Sequence, residues 1–222
     1  MNSQQQNKDV PLIIYGAGGH GISVASLAHS CGYQVKYFID SHNTGYLANI
    51  PIVSSLNEII DIMPLNICIA IGDNVARENI FKSIKEQNRV IHFPSLISLS
   101  AQIGIYSHIE EGVIVMPNSV IGPRATIGKF CLINTLSCVS HDCTMKDFSS
   151  LAIGGMMAGG SSIGFRTSVG MNASLKEKIT IENDCIIGAN SFVNKNFSSN
   201  TIAYGSPAIS VSQHENPIDN AP

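Results

Sequence analysis

The chain has 222 residues, of which 44% are hydrophobic, and a formal net charge of −3 at neutral pH. This length allows two domains, no apolar run approaches the roughly 18 residues that span a membrane, and the weak negative charge argues against a nucleic-acid surface. The start, Met1 to Asp9, is polar and lacks the apolar core of a signal peptide, so we expect a cytoplasmic protein. The six cysteines contain no Cys-x-x-Cys pair and are expected to be reduced, packed thiols.

The first part of the chain alternates predicted strands and helices. A glycine-rich turn, Gly16 to Gly21, separates the first strand from a helix, and the second and third strands lead to Asp40 and to Asp73. This alternation predicts a small parallel α/β sheet of Rossmann-like type, whose ligands bind at the carboxyl ends of the strands. The predicted strands are Val10–Tyr15, Val35–Ile39 and Ile67–Ile71, and the second helix runs from about Val75 to Gln87.

The glycine turn matches the spacing G-x-G-x-x-G at Gly16, Gly18 and Gly21. Its glycines allow the backbone to approach a ligand, and the free N–H groups of the following helix can bind an anion such as a pyrophosphate. Asp40, about twenty residues further on, is placed to accept hydrogen bonds from the ribose or base of a nucleotide. The alternative is a tight turn that only packs the helix on the strand.

From Ile97 to Val193 every sixth residue is aliphatic or Met, which makes seventeen positions in a row. The residue two places before each of them is small, except at Val113 and Ile179. A period of six is a multiple of two, so short strands can keep both positions on the inner side, whereas a helix would drift out of register. Three hexads per coil, about 18 residues, predict a β-solenoid of five to six coils, with a bulged corner or loop near Ile179.

Five aliphatic–glycine pairs fit the first two positions of a known repeat: Ile121-Gly122, Ile127-Gly128, Ile163-Gly164, Val169-Gly170 and Ile187-Gly188. The pattern resembles the hexapeptide-repeat family, and the resemblance implies a left-handed parallel β-helix, usually a homotrimer, that transfers acyl groups from acyl-CoA. We therefore predict an α/β domain followed by an all-β domain. The expected boundaries are a Rossmann-like nucleotide-sugar-binding domain over 1–94, a left-handed β-helix acetyltransferase domain over 95–209 and a C-terminal tail over 210–222.

Further motifs are Ile14-Tyr-Gly-Ala-Gly-Gly-His-Gly21, Ile71-Gly-Asp-Asn74 with Arg77, Asn134-Thr135 before Ser140-His141-Asp142-Cys143, and Tyr204-Gly-Ser-Pro-Ala208. They resemble the group of sialic-acid O-acetyltransferases and bacterial nucleotide-aminosugar N-acetyltransferases. The resemblance implies acetylation, from acetyl-CoA, of the 4-amino group of a UDP-, dTDP- or GDP-linked 4-amino-4,6-dideoxyhexose in the biosynthesis of a surface polysaccharide such as lipopolysaccharide. Two alternatives stay open: O-acetylation of a sialic-acid-type sugar, and a noncatalytic trimeric scaffold or nucleotide-sugar sensor.

The same resemblance assigns roles to residues. It implies that His141 is the catalytic base, followed by the acidic Asp142, and that acetyl-CoA binds between the subunits of a homotrimer. Ser150 stands where some relatives have a second histidine, which leaves open how the thioester carbonyl is held. The implied substrate-binding residues are Gly18, Gly19, His20, Asp40, Asp73 and Asn134. The implied acetyl-CoA-binding residues are Ser150, Gly159, Gly205, Pro207 and Ala208.

The chemistry of amine acetylation independently favours His141 as a base. A sugar ammonium must lose a proton before it can attack a thioester, and imidazole is the side chain that titrates near neutral pH. Asp142 is a candidate to orient the ring, although adjacent strand residues face opposite sides and direct contact requires a local bend. The other histidines lack the carboxylate or cysteine spacing typical of a metal site, and amine acetylation needs no metal, so we expect none.

Overall fold

The computed structural model describes residues 9–60 and 62–214, and its first part is a small sheet with two helices. The strands are Leu12–Tyr15 (β1), Val35–Ile39 (β2), Gly45–Leu47 (β3), Ile50–Val53 (β4), Leu65–Ile69 (β5) and Ile91–His92 (β6). The α-helices are Gly19–Ser30 (α1) and Asn74–Lys85 (α2), and a short 3₁₀ turn covers Leu56–Glu58. The sheet order is β3-β4-β2-β1-β5-β6, with β3 antiparallel to β4 and the other pairs parallel.

The predicted Rossmann-like sheet is therefore confirmed, although the bounds of β1, β5 and α2 shift by one or two residues. Strand β2 has its predicted residues, whereas β1 begins at Leu12 and β5 ends at Ile69. Helix α2 begins directly after Asp73, whose carboxylate accepts a hydrogen bond from the N–H of Ala76 at 2.7 Å and so caps the helix. We call β1–β6 with α1 and α2 the front domain.

The second part of the chain is a β-solenoid of two-residue strands. The strands are Leu96–Ile97 (β7), Gln102–Ile103 (β8), His108–Ile109 (β9), Ile114–Val115 (β10), Val120–Ile121 (β11), Thr126–Ile127 (β12), Leu132–Ile133 (β13), Cys138–Val139 (β14), Thr144–Met145 (β15), Ser150–Leu151 (β16), Met156–Met157 (β17), Ser162–Ile163 (β18), Ser168–Val169 (β19), Ser174–Leu175 (β20), Thr180–Ile181 (β21), Ile186–Ile187 (β22) and Phe192–Val193 (β23). Strands β7 to β20 each pair in parallel with the strand one coil further along, as Ile121 does with Val139. The predicted solenoid is thus confirmed.

Three parallel sheets form the sides of the prism. The first face contains β7, β10, β13, β16, β19 and β22, the second face contains β8, β11, β14, β17, β20 and β23, and the third face contains β9, β12, β15, β18 and β21. Strands β7 to β21 make five complete coils, and β22, β23 and a bridge between Phe197 and Ile181 make most of a sixth. This agrees with the predicted five to six coils.

The interior holds the two predicted ladders of side chains. Aliphatic residues such as Ile121, Ile127 and Val139 are fully buried, and so are small residues such as Ser119 and Cys143. All six cysteines are free, as predicted. The expected bulge near Ile179 is wrong: Ile179 is buried in the core, and its carbonyl accepts a regular rung hydrogen bond from the N–H of Ser162 at 2.8 Å.

The corners between the faces share one backbone conformation. At every turn from β8 to β23, a single residue has a φ near +60°, in the left-handed region, and this lets the chain change direction within four residues. The second–third corner contains Tyr106, Arg124, Asp142, Gly160 and Lys178; the first–second corner contains Asn118, Leu136, Gly154, Asn172 and Asn190; the third–first corner contains Gly112, Phe130, Phe148, Arg166 and Asp184. Residues one coil apart therefore stack at about 4.8 Å, the spacing of paired strands.

An antiparallel hairpin closes the far end of the first face. Its strands are Thr201–Gly205 (β24) and Ala208–Gln213 (β25), and β24 pairs in parallel with β22. The hairpin thus extends four residues past the boundary expected at 209, and the rest of the expected tail, 215–222, lies outside the described residues. Within 9–60 and 62–214, none of the helices has the length and apolar character needed to cross a membrane.

The front domain is docked on the solenoid along the first face and the third–first corner. The buried side chain of Arg77 on α2 donates hydrogen bonds of 2.9 Å to the carbonyls of Phe130 and Phe148. It also donates to the carbonyls of Ile71 and Gly72 and to the side chain of Asn74. Burial lowers the pKa of Arg77 to about 10, so the guanidinium stays charged, and the carbonyl dipoles and the charge of Asp73 stabilise it. This contact fixes the front domain relative to the coils.

Candidate active site

His141 and Asp142 lie together at the second–third corner. Oδ2 of Asp142 is 2.7 Å from Nδ1 of His141, and both side chains are exposed. The predicted local bend is present, since Asp142 has a φ of 60° and its carboxylate consequently turns toward the preceding residue. The sequence had left this contact open, and the corner geometry provides it.

The ionisation of Asp142 determines the tautomer of the neutral ring. Hydrogen bonds from Arg124, and then from His141, lower the pKa of Asp142 to about 2. An ionised carboxylate only accepts hydrogen bonds, so Nδ1 of His141 must carry the proton that it donates. The other ring nitrogen, Nε2, is then unprotonated and available as a base.

Gly159 lies one coil below His141 and provides the space for its ring. A Cβ on Gly159 would lie 2.5 Å from both Cε1 and Nε2 of the imidazole, closer than real contacts allow. The carbonyl of His141 accepts a rung hydrogen bond from Gly160 at 3.0 Å, whereas no described residue accepts one from the N–H of Gly159. The imidazole and an available backbone donor therefore lie on adjacent coils of the same corner.

The glycine turn lies at the carboxyl edge of the front sheet. Gly18 and Gly19 are exposed with open space where a Cβ would be, so their backbone is accessible to a ligand. Gly21 has the opposite role, because a Cβ there would overlap the carbonyl oxygen of Gly16. His20 is half-buried, and its Nε2 is buried without a hydrogen-bond partner among the described residues. Burial, and then the charge of Arg77, lowers the pKa of His20, so it stays neutral at neutral pH.

Asp40 and Asp73 occupy the same edge, at the loops that follow β2 and β5. Asp40 accepts hydrogen bonds from the backbone N–H groups of Ala17, His42 and Asn43 at 2.9 to 3.0 Å. These bonds overcome the effect of burial and lower its pKa to about 2. Asp40 thus ties the glycine turn to the next loop, while Asp73 caps α2.

The remaining predicted residues lie on the other side of the second face. Asn134 follows β13 near the first–second corner, and its Oδ1 accepts a hydrogen bond from the N–H of Thr135 at 2.8 Å. Ser150 is buried on the first face, and its hydroxyl is 3.5 Å from that of Ser168. Gly205 and Pro207 are exposed in the hairpin turn, whereas Ala208 is buried. Within one chain, the second face separates all of these from His141.

No site role was predicted from the sequence for two arginines whose contacts shape this part of the molecule. Arg124 binds Asp142 with two hydrogen bonds, and Arg77 holds the front domain rather than a ligand. The period of the solenoid contains a signal for the first, because Arg124 and Asp142 are 18 residues apart. Across the part of the chain that the structure describes, no three His, Cys, Asp or Glu side chains form a group suited to a metal ion.

Comparisons with known proteins agree with this architecture. The family described as the PglD N-terminal domain matches residues 11–84, within the front domain. A GDP-perosamine N-acetyltransferase from Caulobacter crescentus, solved as a histidine-to-alanine mutant with CoA and GDP-perosamine, is 28% identical with a TM-score of 0.85, covering 91% of this chain and 97% of that one. The acetyltransferase domain of PglB from Neisseria gonorrhoeae is 25% identical with a TM-score of 0.85 over 90% and 99% of the two chains, and it has also been solved with acetyl coenzyme A.

A third solved structure, WeeI from Acinetobacter baumannii, is 26% identical with a TM-score of 0.84, covering 90% of this chain and 99% of the other. The three matched structures extend over both the front domain and the solenoid. They confirm the predicted resemblance to the bacterial aminosugar N-acetyltransferases with hexapeptide repeats, and with it the predicted class of protein, an acyltransferase.

Proposed function

We propose that this chain, an acyltransferase with the architecture of the bacterial aminosugar N-acetyltransferases, transfers the acetyl group of acetyl-CoA to the 4-amino group of a nucleotide-linked 4-amino-4,6-dideoxyhexose. The observation that carries the proposal is the second–third corner, where Nε2 of His141 lies against Gly159, whose N–H has no acceptor among the described residues. A base next to an oxyanion donor is what amine acetylation requires.

The reaction follows from these two groups. Nε2 of His141 accepts a proton as the sugar amine attacks the thioester carbonyl, and a C–N bond forms. The carbonyl electrons move to oxygen, where the N–H of Gly159 stabilises the negative charge. The C–S bond then breaks, and the CoA thiolate receives the proton from His141, so that the products are the acetamido sugar and CoA. Asp142 stabilises the imidazolium between these steps.

The front domain supports a nucleotide-linked acceptor. The accessible backbone of Gly18 and Gly19, at the start of α1, suits a pyrophosphate. The three backbone bonds of Asp40 hold this turn open, and the carboxylate keeps a lone pair for a ribose or base. Asp73 contributes by starting α2 at the same edge. The unpartnered Nε2 of His20 is the remaining polar group that we assign to the acceptor.

We further propose a homotrimer with the active site between subunits. The second face and its two corners expose apolar side chains that a partner would cover: Ile105, Tyr106, Val120, Leu136, Ile153, Met156, Met171 and Phe192. If three second faces surround a common axis, the second–third corner of one subunit meets the first–second corner of the next. Asn134, Gly205 and Pro207 of that neighbour then face His141, and acetyl-CoA fits between the two corners, with Ala208 and Ser150 supporting its walls.

The product would be consumed in the cytoplasm during the synthesis of a surface polysaccharide such as lipopolysaccharide. The test is acetyl transfer from acetyl-CoA, followed by thiol release, to UDP-, dTDP- and GDP-linked 4-amino-4,6-dideoxyhexoses and to free sialic acid. We expect turnover of one nucleotide aminosugar, which also identifies the base. Turnover of sialic acid alone would replace the proposal with the O-acetyltransferase alternative, and binding of a nucleotide sugar without any transfer would favour a sensor.

A further inference from the structure

The structure contains a charged side chain next to the proposed base that the reaction itself does not use. Arg124 precedes Asp142 by one coil at the second–third corner, and their φ angles are 58° and 60°. Because the two backbones have the same conformation one rung apart, the side chains leave the corner in the same direction. Nε of Arg124 donates to Oδ1 of Asp142 at 2.6 Å, and Nη2 donates to Oδ2 at 2.8 Å.

This fork-like contact fixes the carboxylate. Two parallel hydrogen bonds between a planar guanidinium and both carboxylate oxygens allow one orientation of the carboxylate plane. Oδ2 then accepts a third hydrogen bond, from Nδ1 of His141 at 2.7 Å. Without Arg124, an exposed aspartate on a corner would rotate among solvated rotamers, and the imidazole would lose its fixed acceptor.

The contact between Arg124 and Asp142 contributes little to the stability of the fold. The side chains of Arg124 and Asp142 are 63% and 40% exposed, and exposed ion pairs typically contribute no more than about 1 kcal/mol. Lys129 and Glu111 form a comparable exposed pair, also 18 residues apart, on a corner without a histidine. What distinguishes the Arg124 pair is therefore its position against His141.

We propose that Arg124 is a positioning residue for acetyl transfer: its guanidinium holds the Asp142 carboxylate so that Nδ1 of His141 stays protonated and Nε2 stays free as the base. This inference rests on the proposed function for the role of His141. Arg124 acts only through Asp142 and touches neither substrate. Its loss should therefore slow the proton-transfer steps without weakening the binding of acetyl-CoA or of the acceptor.

Steady-state kinetics with a double-mutant cycle tests this. We expect Arg124→Ala to lower kcat by about tenfold and to leave both KM values within about twofold, because an orienting contact is lost. In an Asp142→Ala background, the same change should alter kcat by less than about twofold. Arg124→Lys keeps the charge but cannot span both oxygens, so its kcat should lie between the values of the wild type and of Arg124→Ala. The matched control, Lys129→Ala, should have wild-type kinetics.

Two kinetic results would overturn the inference: wild-type kcat in Arg124→Ala, or the same loss with and without Asp142. The second readout needs no turnover. In protein labelled with ¹⁵N-histidine at pH 8, with the His141 signals assigned by their loss in His141→Ala, we expect the Nδ1–H tautomer in the wild type and a shift toward Nε2–H in both Arg124→Ala and Asp142→Ala. An unchanged tautomer in Arg124→Ala would refute the positioning role, whereas absence of transfer to any acceptor by the wild type would refute the proposed function alone.

Discussion

Two corners of the solenoid have the same backbone conformation, but one is buried against the front domain and the other is exposed. At the third–first corner, Arg166 is largely buried and pairs with Glu78 of α2 and with Asp184 one coil below, next to the carbonyls that Arg77 binds. At the second–third corner, Arg124 and Asp142 make a similar pair in the open. The difference teaches that the corner only sets direction and spacing. Burial then decides whether a charged group holds domains together or stays available for chemistry.

Loss of the buried contact should have the largest effect. Arg77→Ala leaves the carbonyls of Phe130 and Phe148 and the Asn74 side chain without their donor in a closed interface, so we expect the free energy of unfolding to fall by about 3 to 5 kcal/mol. Urea unfolding at fixed protein concentration measures it. The exposed counterpart, Arg124→Ala, should cost less than about 1 kcal/mol. Equal losses in the two variants would show that burial does not decide how much each arginine contributes to stability.

At the exposed corner the large effect should be on rate. His141→Ala removes the proposed base and should lower kcat by at least about a hundredfold, equivalent to about 2.7 kcal/mol of transition-state stabilisation. Because the side chain is exposed, the melting temperature should stay within a degree or two of the wild type. His108→Ala, which removes another exposed histidine paired with a carboxylate, is the control and should not affect kcat. Near-wild-type turnover by His141→Ala would remove it from the mechanism.

A smaller effect on rate is expected from the rung below. Gly159→Ala places a methyl group where the imidazole lies, so the ring must move and kcat should fall by about tenfold with little change in stability. In a His141→Ala background, the same substitution should cause almost no further decrease in kcat. A full tenfold loss in that background would mean that the methyl group obstructs acetyl-CoA and not the ring.

The smallest effect concerns pH and the front domain. The pKa of His20 is lowered by burial and by the charge of Arg77, so below about pH 6.5 the unfolded chain binds a proton that the folded chain resists. The free energy of unfolding should therefore fall as the pH drops through this range. Between pH 7.5 and 5.5, the free energy of unfolding should decrease less for His20→Gln than for the wild type. Urea unfolding at each pH measures it. Parallel pH curves for the two proteins would contradict this.

Much of the fold could be predicted because it depends on a repeating pattern. A buried aliphatic residue at every sixth position, as at Ile121, Ile127 and Ile133, leaves few structures other than a solenoid. The error at Ile179 has the same origin, since the pattern specifies which side chains point inward but not how much space each rung offers. For the front domain, the alternation of strands and helices sufficed.

The site could be predicted only in part. The resemblance implied His141 as the base and the chemistry of amine acetylation favoured it, but the contact with Asp142 depends on a left-handed corner that strand alternation does not predict. Arg124 has no local signal at all, and only the 18-residue coil reveals that it stacks on Asp142. Arg77 belonged to a motif of the resemblance without an assigned role, and its role in docking depends on two distant carbonyls. Contacts between residues this far apart in the sequence form only when the chain has folded into its coils.

The docking of the front domain determines where His141 lies along the solenoid axis relative to that domain. Arg77 binds the carbonyls of Phe130 and Phe148, one coil apart, and His141 lies between these two residues in the chain. A coil inserted between Phe130 and Phe148 would separate the two carbonyls that Arg77 spans and would break the docking contact. A coil inserted elsewhere in the solenoid would leave His141 on the same coil relative to them. The height of the imidazole along the solenoid axis is therefore fixed relative to the front domain by the docking contact itself.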